Sequence, residues 1–328
     1  MEPWYMKMHY RLLILLFLFS FCISEYSLAG SVKVTPLGSH DGEFCNRDRA
    51  LIFEDPNGTR ILYDAGRTVA GAGDKRLGKI DVVLVSHMHG DHVGNAHISK
   101  VNEGSCDKPL TSVNALPNTN TVNIAIAKKA KIITGSEMPK FFASKIRSAG
   151  GDPSASQLVR FGASTQIGGV TITTVPAVHS NGIAGDMIGG DLGEMLTAAG
   201  LTAYAGPPTG YVITFSNGMV VYLSGDTGIT AEQETVVRQF YQAKLAVMNI
   251  GDTYTNGPQE AAFVVNDLIK PNAVIVSHAN EAATNRGKVI AGTRTEEFIN
   301  ATGVSVHIPL SGRTMEFNAD GLCEKGCN

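Results

Sequence analysis

Short apolar runs separated by turn residues set the pattern of this chain. Ser31-Val-Lys-Val-Thr-Pro-Leu37 alternates with period two and predicts a strand. Ala50–Glu54 and Arg60–Asp64 flank Asp55-Pro-Asn-Gly58, which predicts a hairpin. Val82–Ser86 is an apolar run of strand length and reads as buried. Lys128–Ile133 resembles a strand and Met138–Ala149 a helix that ends at Gly150-Gly151. In the second half, Gly169–Val175 is a strand, and Tyr211–Phe215 with Met219–Leu223 form a hairpin about Asn217-Gly218. Thr230–Ala243 interleaves Val236, Val237 and Phe240 with polar residues at helical spacing. Leu245–Ile250 is again strand-like, Gln259–Ile269 a helix introduced by Gly257-Pro258, and Ala273–Ser277 a buried strand after Pro271. Strands and helices alternating in two similar halves predict an α/β protein. Two stretches interrupt this order. Residues 98–125 are polar and read as a flap over a site, because so long a loop in a compact domain is usually functional or mobile. Residues 181–208 are glycine-rich but carry Met187, Leu192, Met195, Leu196 and Leu201, which read either as a second flap with an apolar wall for the substrate or, the more frequent fate of such residues, as packing onto the core.

The chemistry concentrates where the Val82–Ser86 run stops, in His87-Met-His89-Gly-Asp91-His92. A single histidine is usually a satisfied structural residue. Four imidazole or carboxylate groups within six residues are different, because without a cation they crowd polar groups that are costly to bury. Alternate positions of an extended segment share a side, so His87 and His89 can grip one metal. The turn at Gly90 swings Asp91 and His92 toward a second.

This motif resembles the signature of the metallo-β-lactamase superfamily. The resemblance implies an αββα sandwich, with metals at one edge of the sheets and three further ligands at strand ends. Candidates stand at His179, Asp226 and His278, each after a strand-like run, so the resemblance spans nearly the whole chain after residue 29. By carry-over, His87, His89 and His179 hold one metal, Asp91, His92 and His278 the other, and Asp226 bridges them. Nitrogen and oxygen donors without thiolate favour two zinc ions, with manganese or iron as alternatives. Asp91, His92 and Asp226 would then carry the catalysis: a hydroxide shared by the ions attacks the substrate, and Asp91 moves the proton. Asp64, closing the Arg60–Asp64 strand, would orient a ligand imidazole; a plain turn residue is the competing reading.

Asn249–Ala262, followed by Lys270-Pro271-Asn-Ala-Val-Ile, and Gly225-Asp226-Thr227-Gly228 resemble the L-ascorbate-6-phosphate lactonase branch and its metal-dependent hydrolase relatives. That lactonase is cytoplasmic, whereas this chain looks exported. Ile229 stands where quorum-quenching lactonases usually have Tyr. Residues 181–210 hold no Lys or Arg, unlike the tRNA-gripping arm of ribonuclease Z. The expected activity is hydrolysis of a lactone, ester or phosphoester of small-molecule size. β-Lactam hydrolysis and a mononuclear iron oxygenase are the alternatives. His40 and Tyr254 are loop candidates for polarising a substrate oxygen.

Composition adds little beyond this. A net charge of −3 offers no basic field for nucleic acid. The N-terminus adds more: Lys7 and Arg11 precede Leu12–Ile23, then Ser27-Leu-Ala29, which reads as a secretory signal over residues 1–29 with residues 30–328 as one hydrolase domain. An uncleaved anchor is the alternative; after cleavage no stable membrane anchor is expected. Removal of Cys22 leaves Cys45, Cys106, Cys323 and Cys327 in an oxidising periplasmic or extracellular setting. Four cysteines allow three connectivities. Cys323 and Cys327 are near enough in sequence to pair, which would leave Cys45 for Cys106.

Overall fold

A computed structural model describes residues 30–327, so the signal assigned to residues 1–29 lies outside the described residues. Two mixed sheets face each other. From edge to edge, the first runs Cys323–Lys325, Met315–Phe317, Val32–Pro36, Leu51–Glu54, Arg60–Tyr63, Val82–Leu84, Lys131–Thr134 and Ser156–Leu158. The second runs Ser305–His307, Ala273–Ser277, Leu245–Asn249, Val220–Leu223, Thr209–Thr214, Val170–Pro176 and Ser164–Ile167. The hairpin expected at Asp55–Gly58 is present: Leu51 pairs with Tyr63 and Glu54 with Arg60. Asp55 closes that turn and also accepts from Ser216 N and Oγ at 2.7 and 2.6 Å, fastening the turn to the other sheet.

The alternation that marks strands in the sequence also sorts their side chains between two layers. Val34, Phe53, Ile61 and Leu84 of the first sheet meet Ile172, Ile213, Val221 and Ile275 of the second in the central core. The opposite face of the first sheet, through Ile52, Leu62, Val83 and Ile132, packs under Val122, Phe142 and Ile146 of two helices. The outer face of the second sheet does the same with Val237, Val264 and Phe298. The order is therefore helix, sheet, sheet, helix, the αββα sandwich. The helices expected over Thr230–Ala243 and Gln259–Ile269 form, but Gln233–Phe240 and Val264–Ile269 are wound as π-helix. Among the described residues, no helix is long and apolar enough to cross a membrane.

The first interruption differs from expectation, and the second divides between its two readings. None of residues 98–125 lines the cavity over the candidate ligands. Asn120–Lys128 is a helix, capped by Thr119 Oγ1 accepting from Val122 N at 3.2 Å, and it buries Val122, Ile124 and Ala125 against the first sheet. Its apolar positions are few and lie beside small polar residues, so the stretch reads as loop although those few suffice for packing. The preceding segment is held by the Cys45–Cys106 disulfide and by pairing of Val113–Asn114 with Ala96–His97. Residues 181–208 fold into helices Gly185–Ile188 and Gly190–Ala198 above a two-stranded ribbon, Gly182–Ile183 with Ala203–Tyr204. Met187 joins the core, whereas Leu192, Met195 and Leu201 remain exposed. Val178 and Tyr204 line a groove beside His179. The second disulfide, Cys323–Cys327, closes the last strand.

Candidate metal centre

Four strands deliver the site from both sheets. Val82–Leu84 leads to His87, Val170–Pro176 to His179, Val220–Leu223 to Asp226, and Ala273–Ser277 to His278. Two bonds pin the sheets together at this edge: Tyr211 Oη donates to Val85 O at 2.7 Å, and Thr209 N to Ser86 O at 2.8 Å. Gly225 must precede Asp226, since its φ is +60° and a Cβ there would stand 2.8 Å from Ser86 Cβ. Asn249 braces the same turn, accepting from Ser224 Oγ at 2.9 Å and donating to Thr227 O at 3.1 Å.

All seven residues singled out from the sequence converge. Three groups have donor atoms mutually within 4.8 Å: His87, His89 and His179; His87, His92 and Asp226; and Asp91, His92 and His278. Asp226 Oδ2 sits between them, 3.0 Å from His278 Nε2, 3.3 Å from His92 Nε2, and 3.7 Å from both His87 Nε2 and His179 Nε2. The residues fit metal on a second ground. His87 Nε2, His92 Nε2 and Asp226 Oδ1 are buried with no hydrogen-bond partner, and buried polar atoms are rarely left so without a ligand. His40 stands apart, its ring facing Ser39 Oγ and Gly104 O. Tyr254 lies exposed at the rim of the cavity.

The electrostatics follow from burial and mutual proximity. Burial and then the neighbouring His92 hold the His87 pKa well below that of free imidazole. Burial alone would lower His92 too, but Asp226, Asp64 and Asp91 outweigh it and push His92 well above. Burial would raise Asp226, yet His278 and His92 overcome it and keep the carboxyl well below its ordinary range. Asp91 is held low in the same way, by His92, His278 and Arg49 against burial. The centre is a place where carboxylate charge demands positive charge beside it, which cations supply.

Asp64 serves the imidazole. Its Oδ2 lies 2.8 Å from His92 Nδ1 and accepts from Ser86 Oγ at 2.8 Å, while Oδ1 accepts from Ser86 N at 2.8 Å. That contact orients His92 Nε2 toward Asp226 and Asp91. Asp64→Asn should weaken metal affinity about 10- to 100-fold, read by competition with a chromophoric chelator. Unchanged affinity would reduce Asp64 to a turn residue.

Four pocket residues escape the sequence reading. A cavity of about 570 Å³ opens onto Asp91, His179, Asp226 and His278, and its wall includes Arg47, Arg49, Arg67 and Asn280. Arg49 is buried; its Nη2 donates to Asp91 Oδ2 at 3.2 Å and Asn280 Oδ1 at 2.6 Å. The signal was present in Cys45-Asn-Arg-Asp-Arg49, two arginines in a loop beside a cysteine, but nothing local says that this loop faces residues 91 and 280. Backbone strain marks the same place: Arg47, Asp64, His278 and Asn280 have φ of +70°, +42°, +52° and +56°.

Comparison with known proteins places this geometry in a class. Residues 59–279 match the β-lactamase superfamily domain. A UPF0173 metal-dependent hydrolase of Cupriavidus necator is 30% identical over 257 residues, covering 74% of this chain and 71% of the relative. A second, from Koribacter versatilis, is 27% identical over 253 residues, covering 76% and 87%. The metallo hydrolase Igni18 of Ignicoccus hospitalis shares the fold with a TM-score of 0.56, 21% identity, and coverage of 88% of this chain and 98% of its own. The chain therefore belongs to the metallo-β-lactamase superfamily and is a metal-dependent hydrolase of it.

Proposed function

We propose that this protein is an exported hydrolase with two metal ions, zinc in the first instance, acting on a lactone, ester or phosphoester of small-molecule size. The observation that carries the reading is Asp226 Oδ2, one carboxylate oxygen within 3.7 Å of four imidazole nitrogens contributed by both halves of the chain. Two ions would find donors on either side of Asp226: His87, His89 and His179 would hold one, and Asp91, His92 and His278 the other. Divalent ions held there would acidify water and polarise the bond under attack.

The protein's own groups supply the rest. Asp91 has a side chain 26% exposed toward the cavity, with Oδ2 3.4 Å from His278 Nε2 and 3.2 Å from Arg49, so it is positioned to take a proton and pass it outward. Arg49 keeps that carboxylate aimed. The two disulfides support an oxidising compartment and hence export. The carboxylate at 226 and the Asn249–Ala262 stretch support the lactonase-like side of the superfamily over β-lactam hydrolysis. Residues 30–328 as one hydrolase domain fit the central core shared by both sheets.

The test is elemental analysis of the purified protein joined to a turnover screen of lactones, carboxylic esters, phosphodiesters and β-lactams before and after chelation. Two zinc ions per chain are expected, with ester or lactone turnover that EDTA abolishes and zinc restores. One ion per chain would overturn the dinuclear reading, and turnover confined to β-lactams would overturn the substrate class.

A further inference from the structure

The arginines of the cavity are arranged for more than holding Asp91. Arg49 is committed to Asp91 and Asn280. Arg47 and Arg67 are not committed to any acid: among the described residues neither forms an ion pair, and the Arg67 side chain donates only from Nε, to Asn95 Oδ1 at 3.0 Å. Both are half-buried and both line the cavity that opens onto the metal cluster. Arg67 lies over the turn of the metal loop, where a Cβ on Gly90 would stand 2.8 Å from its Nη2. Burial, and the repulsion of Arg47 and Arg49, lower its pKa against an opposing pull from Asp91. With Arg49 already paired to Asp91, Arg47 and Arg67 remain as two like charges on one wall, an arrangement that is costly unless something further negative meets them.

Solvated surface arginines would look different, because a solvated side chain is free to leave. These are anchored. Arg47 occupies a left-handed backbone conformation with φ +70°. Its loop is tied on both sides: Cys45 is bonded to Cys106, Asn46 N donates to Cys106 O at 3.0 Å, and Cys45 N and Ser39 N donate to the buried Asp48 carboxylate, each at 2.9 Å. A loop held against strain with its guanidinium beside a reaction site is preorganised for a ligand.

We propose that Arg47 and Arg67 form a subsite for an anionic oxygen group of the substrate, a carboxylate or a phosphate, and that seating this group fixes the scissile bond against Asp91 and the metal cluster. This rests on the reading of the cluster as a hydrolytic centre. The two guanidinium groups provide planar N–H pairs that match either anion in two-point fashion. The substrate is then a lactone, ester or phosphoester that carries its own negative charge a few bonds from the bond that breaks.

The test uses the metal-loaded protein and a matched pair of esters, 4-nitrophenyl propionate and the 4-nitrophenyl half-ester of succinic acid, which differ by one carboxylate, each rate being corrected for spontaneous hydrolysis. The half-ester should be preferred in kcat/KM by at least tenfold. Arg47→Met and Arg67→Met should each lower its kcat/KM by about 10- to 100-fold, mainly through KM, and change the propionate by less than threefold. Arg67→Lys should recover part of the loss. Calorimetry on the same proteins with succinate and with inorganic phosphate provides a readout that needs no turnover. Binding weakened in both Met variants is expected, and the tighter anion names the source. Absence of ester turnover with arginine-dependent anion binding would reject the hydrolase reading and leave this subsite standing. Equal use of both esters, or anion binding identical in wild type and variants, overturns the subsite.

Discussion

Asp226→Asn should retain the fold yet bind fewer than two ions per chain, and its turnover should fall on the order of 1000-fold or more, roughly 4 kcal/mol of transition-state stabilisation. The substitution keeps the shape of the side chain and removes its charge. Oδ2 of Asp226 lies within 3.7 Å of an imidazole nitrogen of each of His278, His92, His87 and His179, so one change touches both proposed metal positions. His87 and His92 each belong to two of the three donor groups and Asp226 to the one between them, but of these three only Asp226 brings a carboxylate charge. Elemental analysis and steady-state kinetics on the same preparation check the expectation. Full occupancy together with near wild-type turnover would rule out a bridging role for this carboxylate.

The largest effect on stability is expected from the Cys45–Cys106 disulfide. It closes a separation of 61 residues, and in the chain-entropy account a loop of that size contributes about 4 kcal/mol, against about 2 kcal/mol for Cys323–Cys327 with a separation of 4. Paired serine substitutions at each bridge, compared by urea unfolding, should reproduce that order. The first pair should do something the second does not. Freeing Cys45 loosens the loop that carries Arg47 and Arg49, so turnover of an anionic ester should decline more than that of a neutral one. Equal losses of stability, or a decline blind to substrate charge, would separate the bridge from the cavity wall.

What could be read in advance follows from how local the information is. Four of the seven candidate ligands lie within six residues, and the remaining three each end a strand whose apolar run is plain in the sequence. The hairpin at Asp55–Gly58 is equally local, since the turn residues and the alternation on either side name it. Asp64 was identifiable as the end of a strand, though only the folded chain brings it 2.8 Å from His92 Nδ1. The cavity wall was not legible, because Arg49, Arg67 and Asn280 come from three loops, and their meeting depends on how the two sheets close at one edge. The helix Asn120–Lys128 was hidden for another reason: Asn120, Thr121 and Asn123 dilute its apolar face, and its N-terminal signal is a single threonine. Residues 181–208 were visible as an insertion, but small residues such as Gly185 and Gly193 disguise two short helices that pack closely on each other.

The chain supplies its candidate ligands unevenly. The first half gives His87, His89, Asp91 and His92 from one turn, whereas the second gives His179, Asp226 and His278 one per strand. The long excursions fall in the intervals, one between the turn at His92 and the strand Lys131–Thr134, the other between His179 and the strand Thr209–Thr214. Apart from Cys106, whose bridge holds the Arg47 loop, and Asn181, whose Oδ1 accepts from Met88 N at 2.8 Å, their length and composition can change with little effect on the donor atoms. The fold thus separates what is inherited as fixed geometry from what is free to be rewritten. In a set of related chains, diversity should collect at residues 98–119 and 181–208 while the spacing of the turn at residues 87–92 stays constant.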